Sequence, residues 1–363
     1  MSRVCKACIS VDALKHNFSL AREAAAGSKL LAVIKANAYG HGMLTVADAL
    51  QNADAFAVAH LEEAQVLRER YPQKSIVLLQ GFVDEKELEI LCALSLTPVV
   101  HSMYQIALLE SIRLPDNFAV WLKVDTGMGR LGIGPDECRR VWERLNHIPQ
   151  LQGQVRLMSH FANADNPGDT RTDVQIDCFN ALAAPSFAER SLANSAGIMA
   201  WPQSHYQWIR PGIMLYGVSP FKEKTGLDLG LKPVMTLQGN IIAINAIKKN
   251  QTVGYGSCWQ ADEDTQIAVV ACGYGDGYPR HIAEQTPVLI QRKRYPIVGR
   301  VSMDMLCVNL GNAHSVQVGD TVTLWGEGLP VETIAEQAGS IAYELLCQVT
   351  SRVNFIKQNS EHG

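Results

Sequence analysis

The 363-residue sequence lacks a long apolar run. No stretch approaches the roughly 20 consecutive apolar residues that a helix needs to cross a bilayer. The first residues, Met1-Ser2-Arg3-Val4-Cys5, carry neither the apolar core nor the small-residue cleavage site of a secretory leader. We therefore expect a cytoplasmic protein that has no membrane partner.

An excess of charge of either sign is also lacking. The chain has 32 basic and 36 acidic residues, which give a formal charge of −4 at pH 7. This balance argues against a basic surface for nucleic acid or for an anionic membrane. The short cluster Arg292-Lys293-Arg294 stands beside Tyr295-Pro296 and is typical of a solvated hairpin tip. The composition predicts a soluble, folded protein with a small-molecule partner and no nucleic-acid partner.

No cysteine framework and no common nucleotide or zinc motif is present. The nine cysteines are scattered, and the C-x-x-C of Cys5 and Cys8 has no second pair at zinc-site spacing. We interpret them as reduced thiols. Neither a G-x-x-x-x-G-K-[ST] loop nor an H-E-x-x-H helix occurs. Residues 127–132 fit G-x-G-x-x-G, but the next predicted strand ends in Ser159-His160 and not in an acidic residue, so we reject a dinucleotide site.

The first two-thirds of the chain alternate between short apolar runs and longer amphipathic segments. The apolar runs predict eight strands, at residues 30–35, 55–59, 75–79, 97–100, 119–125, 155–160, 191–195 and 208–216. Helical periodicity is present at residues 12–26, 62–71, 85–94 and 135–147. Alternating strands and helices predict βαβ units, and eight strands favour a closed (β/α)8 barrel of the TIM type over an open sheet.

The pattern changes after about residue 227. Short β-rich runs separated by glycine- and proline-containing turns follow, at residues 234–242, 266–272, 287–290, 305–310 and 321–325, with a helix at 331–337. We predict an α/β chain of two domains. Residues 1–228 form the (β/α)8 barrel, and residues 229–363 form a small, mostly antiparallel β domain.

Polar residues stand out where the predicted barrel strands end. In chain order they are Lys35, Lys123, Asp125, His160, Asn194, Ser195 and Arg210. The C-terminal rim of such a barrel is where active sites form. One polar residue there is readily explained as a satisfied buried group, but five strands that carry them at the same end predict an active site.

Lys35 follows the apolar run Leu31-Ala32-Val33-Ile34. A lysine at an apolar barrel mouth loses hydration, which lowers its pKa and makes a neutral amine available to an aldehyde such as that of pyridoxal phosphate. The alternative is a lysine that extends from a strand end into solvent. The residue taken alone fits both interpretations.

The residues around Lys35 favour the first interpretation. The segment VIKANAYGHG at residues 33–42 resembles the pyridoxal-phosphate attachment motif of the alanine racemase family. The resemblance continues in the same order along nearly the whole chain, through KVDTGMGRLG at 123–132, SHFA at 159–162, ANS at 193–195, RPGI at 210–213, VGYG at 253–256, GYGDG at 273–277 and GRVSMDM at 299–305. It implies an alanine racemase that interconverts L-alanine and D-alanine by a two-base mechanism through a pyridoxal-phosphate external aldimine held at Lys35.

The resemblance also implies a cofactor site on the barrel rim. The implied residues besides Lys35 are Tyr39, His160, Asn194, Ser195, Arg210, Gly212, Ile213 and Tyr343. Ser195 and the backbone N–H groups of Gly212 and Ile213 fall where barrels commonly bind phosphate, and the resemblance adds the hydroxyls of the two tyrosines. Arg210 matches the residue that faces the pyridine nitrogen, where a guanidinium keeps its proton and leaves that nitrogen unprotonated.

Racemisation removes a proton from one face of Cα and delivers one to the opposite face, which a single lysine cannot reach without moving the substrate. Tyr255 matches the family's second base, and the partner subunit supplies that base in the family. The resemblance therefore implies a head-to-tail homodimer with shared sites. A phenol is a weak base unless neighbouring positive charge stabilises its phenolate, and His160 matches a residue that hydrogen-bonds both Arg210 and the phenol of Tyr255.

Five further residues match positions that handle the substrate. Arg130 matches the arginine that contacts the substrate carboxylate, for which a guanidinium fork is suited, and the backbone N–H of Met303 matches a second donor. Lys123 matches a lysine that is carbamylated in many members and then holds that arginine. Tyr274 and Asp276 match residues along the path by which substrate enters from the partner side.

Three related functions are alternatives. A broad-specificity amino-acid racemase differs only in the size of its pocket and stays open. A non-enzymatic pyridoxal-phosphate carrier resembles the barrel half alone, whereas this chain continues into a second domain with Tyr255 and Met303. A pyridoxal-phosphate decarboxylase of similar architecture places a carboxylate where this chain has Arg210. The sequence disfavours the last two.

Overall fold

The computed structural model describes residues 5–182, 187–312 and 315–358. Its strands are β1 (Lys6–Ser10), β2 (Lys29–Val33), β3 (Ala55–Val58), β4 (Ser75–Leu78), β5 (Thr97–Val100), β6 (Val120–Lys123), β7 (Val155–Met158), β8 (Arg190–Ser191), β9 (Trp208–Ile209), β10 (Met235–Ile247), β11 (Thr252–Val253), β12 (Trp259–Gln260), β13 (Thr265–Val270), β14 (Pro287–Ile290), β15 (Lys293–Val298), β16 (Leu306–Gly311), β17 (Thr321–Trp325) and β18 (Asn354–Gln358).

The helical segments lie between and after these strands. They are α1 (Val11–Ala24), α2 (Lys35–Tyr39), α3 (Met43–Ala49), α4 (Leu61–Arg70), α5 (Glu85–Ala93), α6 (Met103–Ser111), α7 (Cys138–Asn146), α8 (Arg171–Ala181), α9 (Ser195–Ala200), α10 (Val331–Gln337) and α11 (Ala342–Gln348). Within the described residues, no helix combines the length and the apolar character needed to span a bilayer.

Strands β2 to β9 pair in parallel and close into a barrel. Leu31 lies opposite Ala55, and Val120 lies opposite Val155. All four residues of β3 are buried, as expected for a parallel strand that is covered on both faces. The second sheet follows in the chain, and most of its pairs are antiparallel. The predicted (β/α)8 barrel followed by a mostly antiparallel β domain is confirmed.

The second sheet has the strand order β13-β16-β15-β14-β17-β10-β1-β18, and β13 also pairs with β10. Its member β1 comes from the very start of the chain, although the sequence assigned residues 1–228 to the barrel. Lys6 lies opposite Gln238 of β10 and opposite Asn354 of β18. Pairing over such separations leaves no local sequence signal. The domain boundary near residue 228 stays a prediction.

The last barrel strand is shorter than the sequence indicated. A strand was expected over residues 208–216, but β9 ends at Ile209 and a 3-10 turn covers Ile213–Tyr216. Pro211 has no N–H to donate to a neighbouring strand, so the ladder stops there. The early end places Arg210 directly after the strand, on the rim of the barrel.

Candidate active site

Four basic side chains meet at the C-terminal rim of the barrel. Lys35 follows β2, Lys123 ends β6, Arg130 lies in the loop after β6, and Arg210 follows β9. Burial and the nearby Arg130 charge lower the pKa of Lys35. Burial, Arg210 and Arg130 lower the pKa of Lys123 to about 8. Clustered positive charge suits anionic ligands such as a phosphate or a carboxylate, and it raises the neutral fraction of both lysine amines.

Lys35 begins a left-handed helical turn, α2. Ala36, Asn37, Ala38 and Tyr39 have φ values of 53°, 51°, 55° and 51°. The turn is closed by helical hydrogen bonds, from Ala38 N–H to Ile34 O at 2.9 Å and from Gly40 N–H to Ala36 O at 3.0 Å. A left-handed turn costs non-glycine residues about 1–2 kcal/mol each. Such strain is kept at functional sites where the surroundings over-determine the conformation.

His41 is one of the groups that hold this turn. Its Nδ1 lies 3.0 Å from the carbonyl oxygen of Ala38 and 2.9 Å from that of Tyr39, so Nδ1 carries the hydrogen and donates it. Burial lowers the pKa of His41 to about 4 and keeps the ring neutral. The ring stacks on Tyr216 at 4.6 Å, and the Tyr216 hydroxyl donates to Val33 O at 3.0 Å. The motif pointed to this histidine, but sequence reasoning assigned it no role.

Hydroxyl groups gather beside the turn. A Cβ at Gly212 would lie 2.8 Å from the phenolic oxygen of Tyr39, so a glycine is needed for the close approach. Ser195 Oγ accepts hydrogen bonds from Gly212 N–H at 3.0 Å and Met214 N–H at 3.3 Å. The Tyr343 ring lies 6.1 Å from that of Tyr39. The structure therefore brings together the hydroxyls that the resemblance assigned to the phosphate.

Two further predicted cofactor-site residues, Asn194 and Ile213, adjoin Ser195 and Gly212 in the chain. Asn194 accepts Gly197 N–H at 3.0 Å and so caps α9, which begins at Ser195. Its side chain orients the helix, which is a structural contact that the resemblance did not specify. Ile213 is buried and begins the 3-10 turn after the last barrel strand.

Helix α11 of the second domain delivers Tyr343 to the rim of the same chain. A Cβ at Gly40, where φ is +81°, would lie 2.1 Å from the carbonyl oxygen of Leu346. Only a glycine permits this packing of α11 on the end of the left-handed turn. Burial raises the pKa of Tyr343 to about 12, so its phenol stays protonated and is available as a donor.

Arg210 is buried beneath the rim. Its Nη1 donates to Ser191 Oγ at 2.6 Å, and its Nη2 donates to Ser159 O at 2.6 Å and lies 3.4 Å from His160 Nδ1. Burial lowers its pKa to about 10, so it remains charged at neutral pH. Burial and the Arg210 charge drive the pKa of His160 well below its usual value. His160 is therefore neutral, and its Nδ1 accepts from the guanidinium. Ser159 and Ser191 were missed as supports, although Ser159 lies near the end of one predicted strand and Ser191 begins the next.

The glycine-rich loop after β6 folds around Asp125. The carboxylate accepts the N–H groups of Gly127 at 2.9 Å, Met128 at 2.8 Å and Arg130 at 3.0 Å. These N–H groups are committed to a side chain of the same loop, which agrees with the rejection of a dinucleotide site. The loop instead places Arg130 over a cleft that Lys123 and His160 also line.

Tyr255 and Met303 lie on the surface of the second domain. Tyr255 begins a 3-10 turn between glycines with positive φ and is 68% exposed, and Met303 is 52% exposed. Among the described residues, no hydrogen bond, ion pair or ring contact joins Tyr255 or Met303 to Lys35. The predicted second base and the predicted substrate contact are therefore not seen in contact with Lys35 within one chain.

The two residues assigned to the access path have different surroundings. Tyr274 is partly exposed, with the Arg280 guanidinium 5.9 Å from its ring centre. Asp276 is buried, accepts Gly273 N–H at 3.0 Å and lies 3.5 Å from Arg352 Nε. Its carboxylate holds the loop together from within, and its role on the access path stays a prediction.

Comparison with known proteins identifies the family. The model of the alanine racemase N-terminal domain matches residues 9–220, and that of the alanine racemase C-terminal domain matches residues 234–357. The chain belongs to the alanine racemase family. The matches cover both the barrel and the second sheet.

Individual alanine racemases are similar over nearly the whole chain. The biosynthetic alanine racemase of Salmonella typhimurium is 50% identical over 346 residues, which cover 95% of this chain and 96% of that protein. The crystal structure of biosynthetic alanine racemase from Pseudomonas aeruginosa has 41% identity and a TM-score of 0.95, over 99% of this chain and 100% of that chain. The alanine racemase of Bartonella henselae, solved with covalently bound pyridoxal phosphate, has 29% identity and a TM-score of 0.89, over 98% and 99%.

The resemblance drawn from the motifs is thereby confirmed. Alanine racemases are pyridoxal-phosphate-dependent isomerases, so the predicted enzyme class and cofactor are confirmed as properties of the family. The match to the second alanine racemase domain disfavours a barrel-only carrier. The roles of individual residues stay predictions.

Proposed function

We propose that this chain interconverts L-alanine and D-alanine with pyridoxal phosphate on the barrel rim, using Lys35 and the Tyr255 of a second copy as the two proton-transfer groups. When bound, the cofactor supplies an aldehyde that condenses with amines and a ring that takes up electron density as the Cα–H bond breaks. The observation that carries the proposal is the Lys35 amine, with a lowered pKa, at the start of a strained turn beside clustered cations and hydroxyls.

The donor set fits the cofactor. The Ser195, Tyr39 and Tyr343 hydroxyls, with the backbone N–H groups of Gly212 and Ile213, would hold the phosphate. Lys35 lies at the other end of the turn that carries Tyr39, where its amine would bind the aldehyde. Arg210 would hold the ring nitrogen, and a guanidinium that keeps its proton would leave that nitrogen unprotonated. A ring held in this way would be a weaker electron sink than one paired with a carboxylate, which would limit side reactions.

The substrate carboxylate binds to Arg130 and to the backbone N–H of Met303. The Asp125 carboxylate anchors the Arg130 backbone at 3.0 Å, so the start of the side chain is fixed relative to the rim. A guanidinium forms two parallel hydrogen bonds to a carboxylate, and this orients Cα between the two proton-transfer groups. With Cα held in place, Lys35 moves the proton on one face and Tyr255 on the other.

Lys123 is proposed to be carbamylated. A pKa of about 8 leaves a substantial fraction of its amine neutral near neutral pH. The neutral amine attacks carbon dioxide, and a carbamate and one proton are formed. The carbamate is an anion among Lys35, Arg130 and Arg210, so it balances the excess positive charge and holds Arg130.

A head-to-tail homodimer completes the site. Tyr255 and Met303 are both exposed on the second domain, and the proposal places them over the barrel rim of the other copy. There the neutral His160, which accepts from Arg210, donates through its other ring nitrogen to the Tyr255 oxygen. The Arg210 charge acts through this link and stabilises the phenolate.

We infer a cytoplasmic location and alanine as the preferred substrate. All nine cysteines are free thiols, which is typical of proteins kept in a reducing compartment. A broad-specificity racemase is distinguished from the proposal by assays of alanine, serine and larger amino acids on the purified protein.

Replacing Lys35 tests the proposal directly. Lys35→Ala removes the amine, so both the absorbance of the cofactor–lysine bond and the racemase activity are expected to disappear together. The measurements are the visible spectrum and mass spectrometry after borohydride reduction, with Lys222→Ala as the control. A borohydride-reducible bond that persists in Lys35→Ala would contradict the assignment.

A further inference from the structure

Two buried cysteines from opposite ends of the chain meet in the second sheet. The Sγ atoms of Cys5 and Cys272 are 3.3 Å apart, and the residues are 267 positions apart in sequence. Both are buried and both are free thiols. Neither belongs to the site around Lys35, and the racemase chemistry makes no use of them.

The topology of the sheet explains why they meet. Strands β13 and β1 both lie along the edge of β10 that faces away from β17, one after the other. Val270 of β13 lies opposite Ile241 of β10, and Lys6 of β1 lies opposite Gln238. Between these pairs, Ala271 N–H donates to Asn240 O at 2.9 Å. Strand β13 therefore ends where β1 begins.

A glycine of β10 makes room for Cys272 at this junction. Cys272 lies beside Gly239. Cys5 directly precedes Lys6, which pairs with the adjacent Gln238. A Cβ at Gly239 would lie 3.4 Å from Cys272 Cβ and 2.9 Å from Val270 Cγ1. A side chain at position 239 would therefore crowd Cys272, whereas glycine leaves the thiol free to turn towards Cys5.

We propose that Cys5 and Cys272 are a redox-active pair that a peroxide oxidises to an intrachain disulfide. The hydrogen bond from Cys5 and burial raise the pKa of Cys272, so the thiols ionise when the site opens to water, and their two protons later neutralise the two hydroxides formed. One thiolate attacks the peroxide oxygen, which gives a sulfenic acid and releases hydroxide. The second thiolate then attacks that sulfur and expels the oxygen as hydroxide. Overall, two thiols and one hydrogen peroxide give one disulfide and two waters. The sulfur atoms have to approach by about 1.2 Å to reach disulfide length.

The oxidant reaches the pair by local opening at the edge of the sheet. Strand β18 lies between β1 and solvent, and all five of its residues are exposed. Cys5 is held to it by a hydrogen bond from Asn354 N–H to Cys5 O at 3.1 Å. Edge strands of this kind open at lower free energy than the core.

The pair is connected to the candidate active site through the loop that follows it. Cys272 directly precedes Gly273, and the loop hydrogen-bonds to the segment that carries Met303, from Tyr274 N–H to Ser302 O at 3.0 Å and from Gly275 N–H to Met303 O at 2.8 Å. A disulfide tethers the start of this loop to β1. Oxidation therefore stabilises the fold and restrains the loop under the predicted substrate contact.

Metal binding is the alternative to disulfide formation at this cluster. Cys5, Cys272 and Asp276 have potential ligand atoms within 4.8 Å of one another. However, the Asp276 carboxylate already accepts Gly273 N–H at 3.0 Å and lies 3.5 Å from Arg352 Nε. Metal binding has to break these contacts, whereas a disulfide leaves them intact, so the structure favours oxidation.

The experiment oxidises the cofactor-loaded protein with hydrogen peroxide, alkylates the remaining thiols, and maps the digest by mass spectrometry. We expect a Cys5–Cys272 cross-linked peptide that dithiothreitol removes, and an unfolding midpoint that rises by about 5 °C, because the cross-link closes a very long loop. Cys5→Ala and Cys272→Ala are expected to lose both effects. Cys92→Ala, a thiol on helix α5, is the matched control and keeps both.

The cross-link in the unsubstituted protein is decisive on its own, whether or not the variants fold. The proposal is overturned if peroxide oxidises the exposed Cys258 and Cys347 and no Cys5–Cys272 peptide forms. It is also overturned if one equivalent of zinc binds the unsubstituted protein, prevents the cross-link, and is lost in Cys272→Ala, because the cluster is then a metal site.

Discussion

Burial and mutual charge set the protonation of single residues at the barrel rim. Lys35 and Lys123 have lowered pKa values because burial removes their hydration and neighbouring arginines repel an added proton. His160 is neutral for the same reasons. Arg210 keeps its charge because its ordinary pKa is so high that burial lowers it only to about 10. One set of neighbours therefore raises the neutral fraction of two amines, keeps an imidazole neutral and leaves one permanent cation.

Tyr255→Phe tests the proposed division of labour between the two faces of Cα. The phenylalanine keeps the ring but cannot transfer a proton. We expect α-proton exchange from L-alanine to fall by about 100-fold or more, as for loss of a general base, with a much smaller effect on D-alanine. The measurement is deuterium incorporation from solvent, with each enantiomer supplied separately.

The matched control is Tyr104→Phe, an exposed tyrosine on α6 that lies outside the site. It is expected to exchange both enantiomers at the unsubstituted rate. Equal losses for the two enantiomers in Tyr255→Phe would rule out the two-base scheme.

Lys123 carbamylation is expected to depend on pH. Only the neutral amine reacts with carbon dioxide, and its fraction rises as the pH increases through the pKa of about 8. The amount of carbamate is therefore expected to rise as the pH increases towards and beyond this value, and to fall on acidification. Carbon-13 NMR with labelled bicarbonate measures it, and the KM for alanine is expected to rise roughly tenfold without bicarbonate because Arg130 loses its anion.

Lys222→Ala, on the surface, is the control and is expected to retain the carbamate resonance. A resonance that survives in Lys123→Ala would assign the adduct to another group.

At the scale of single elements, the surrounding structure holds the left-handed turn α2 in a backbone conformation that its own residues disfavour. Glu63 of α4 accepts Asn37 N–H at 3.3 Å, and Asn37 Oδ1 accepts Met43 N–H at 2.8 Å. With His41 and α11, these contacts surround the turn on several sides. The turn in return sets the distance between Lys35 and Tyr39, which we propose to bind opposite ends of the cofactor.

Substitutions at Ala36, which is exposed in this turn, test the strain. Ala36→Gly relieves the left-handed backbone but adds disorder to the unfolded chain, so the free energy of unfolding is expected to change by less than about 1 kcal/mol. Ala36→Val is expected to lower it by about 2 kcal/mol, since β-branched residues fit this region poorly. Urea unfolding of the cofactor-free protein measures both.

Ala107→Gly, on the exposed side of the right-handed helix α6, is the comparison and is expected to cost about 1 kcal/mol. Equal costs for glycine at positions 36 and 107 would show that the turn stores no strain.

The bounds of a helix or strand could be predicted from the sequence where the local pattern of apolar residues sets them. The periodicity at residues 85–94 and 331–337 corresponds to α5 and α10, and the apolar run at 97–100 is β5. The handedness of α2 was not predictable, because its residues have no intrinsic preference for positive φ and surrounding elements impose it.

At the scale of the whole molecule, one chain divides the proposed site between two surfaces. The cofactor residues lie on the barrel rim, and Tyr255 and Met303 are exposed on the second domain. The proposed function joins them through a second copy, so activity is expected to depend on association. Two chains related by a two-fold axis complete two sites at once.

Mixing two inactive variants tests this sharing. Lys35→Ala and Tyr255→Phe each disable every site in their own homodimers. A hybrid dimer has one doubly substituted site and one intact site, so random exchange of subunits is expected to restore about a quarter of the full activity. The assay is racemisation after exchange in mild denaturant, and a tag on one variant verifies that hybrids formed. Hybrids without activity would place Tyr255 in the site of its own chain.

By itself, the sequence determined the barrel, the antiparallel second domain, the family and the candidate residues of the rim. These depend on periodicity, on the order of strand ends and on contiguous motifs, which are local properties of the chain. Only the tertiary structure decided that β1 joins the second sheet, that Asp276 is buried against Arg352, and that Cys5 meets Cys272. Each of these depends on residues far apart in the chain, whose proximity follows from packing.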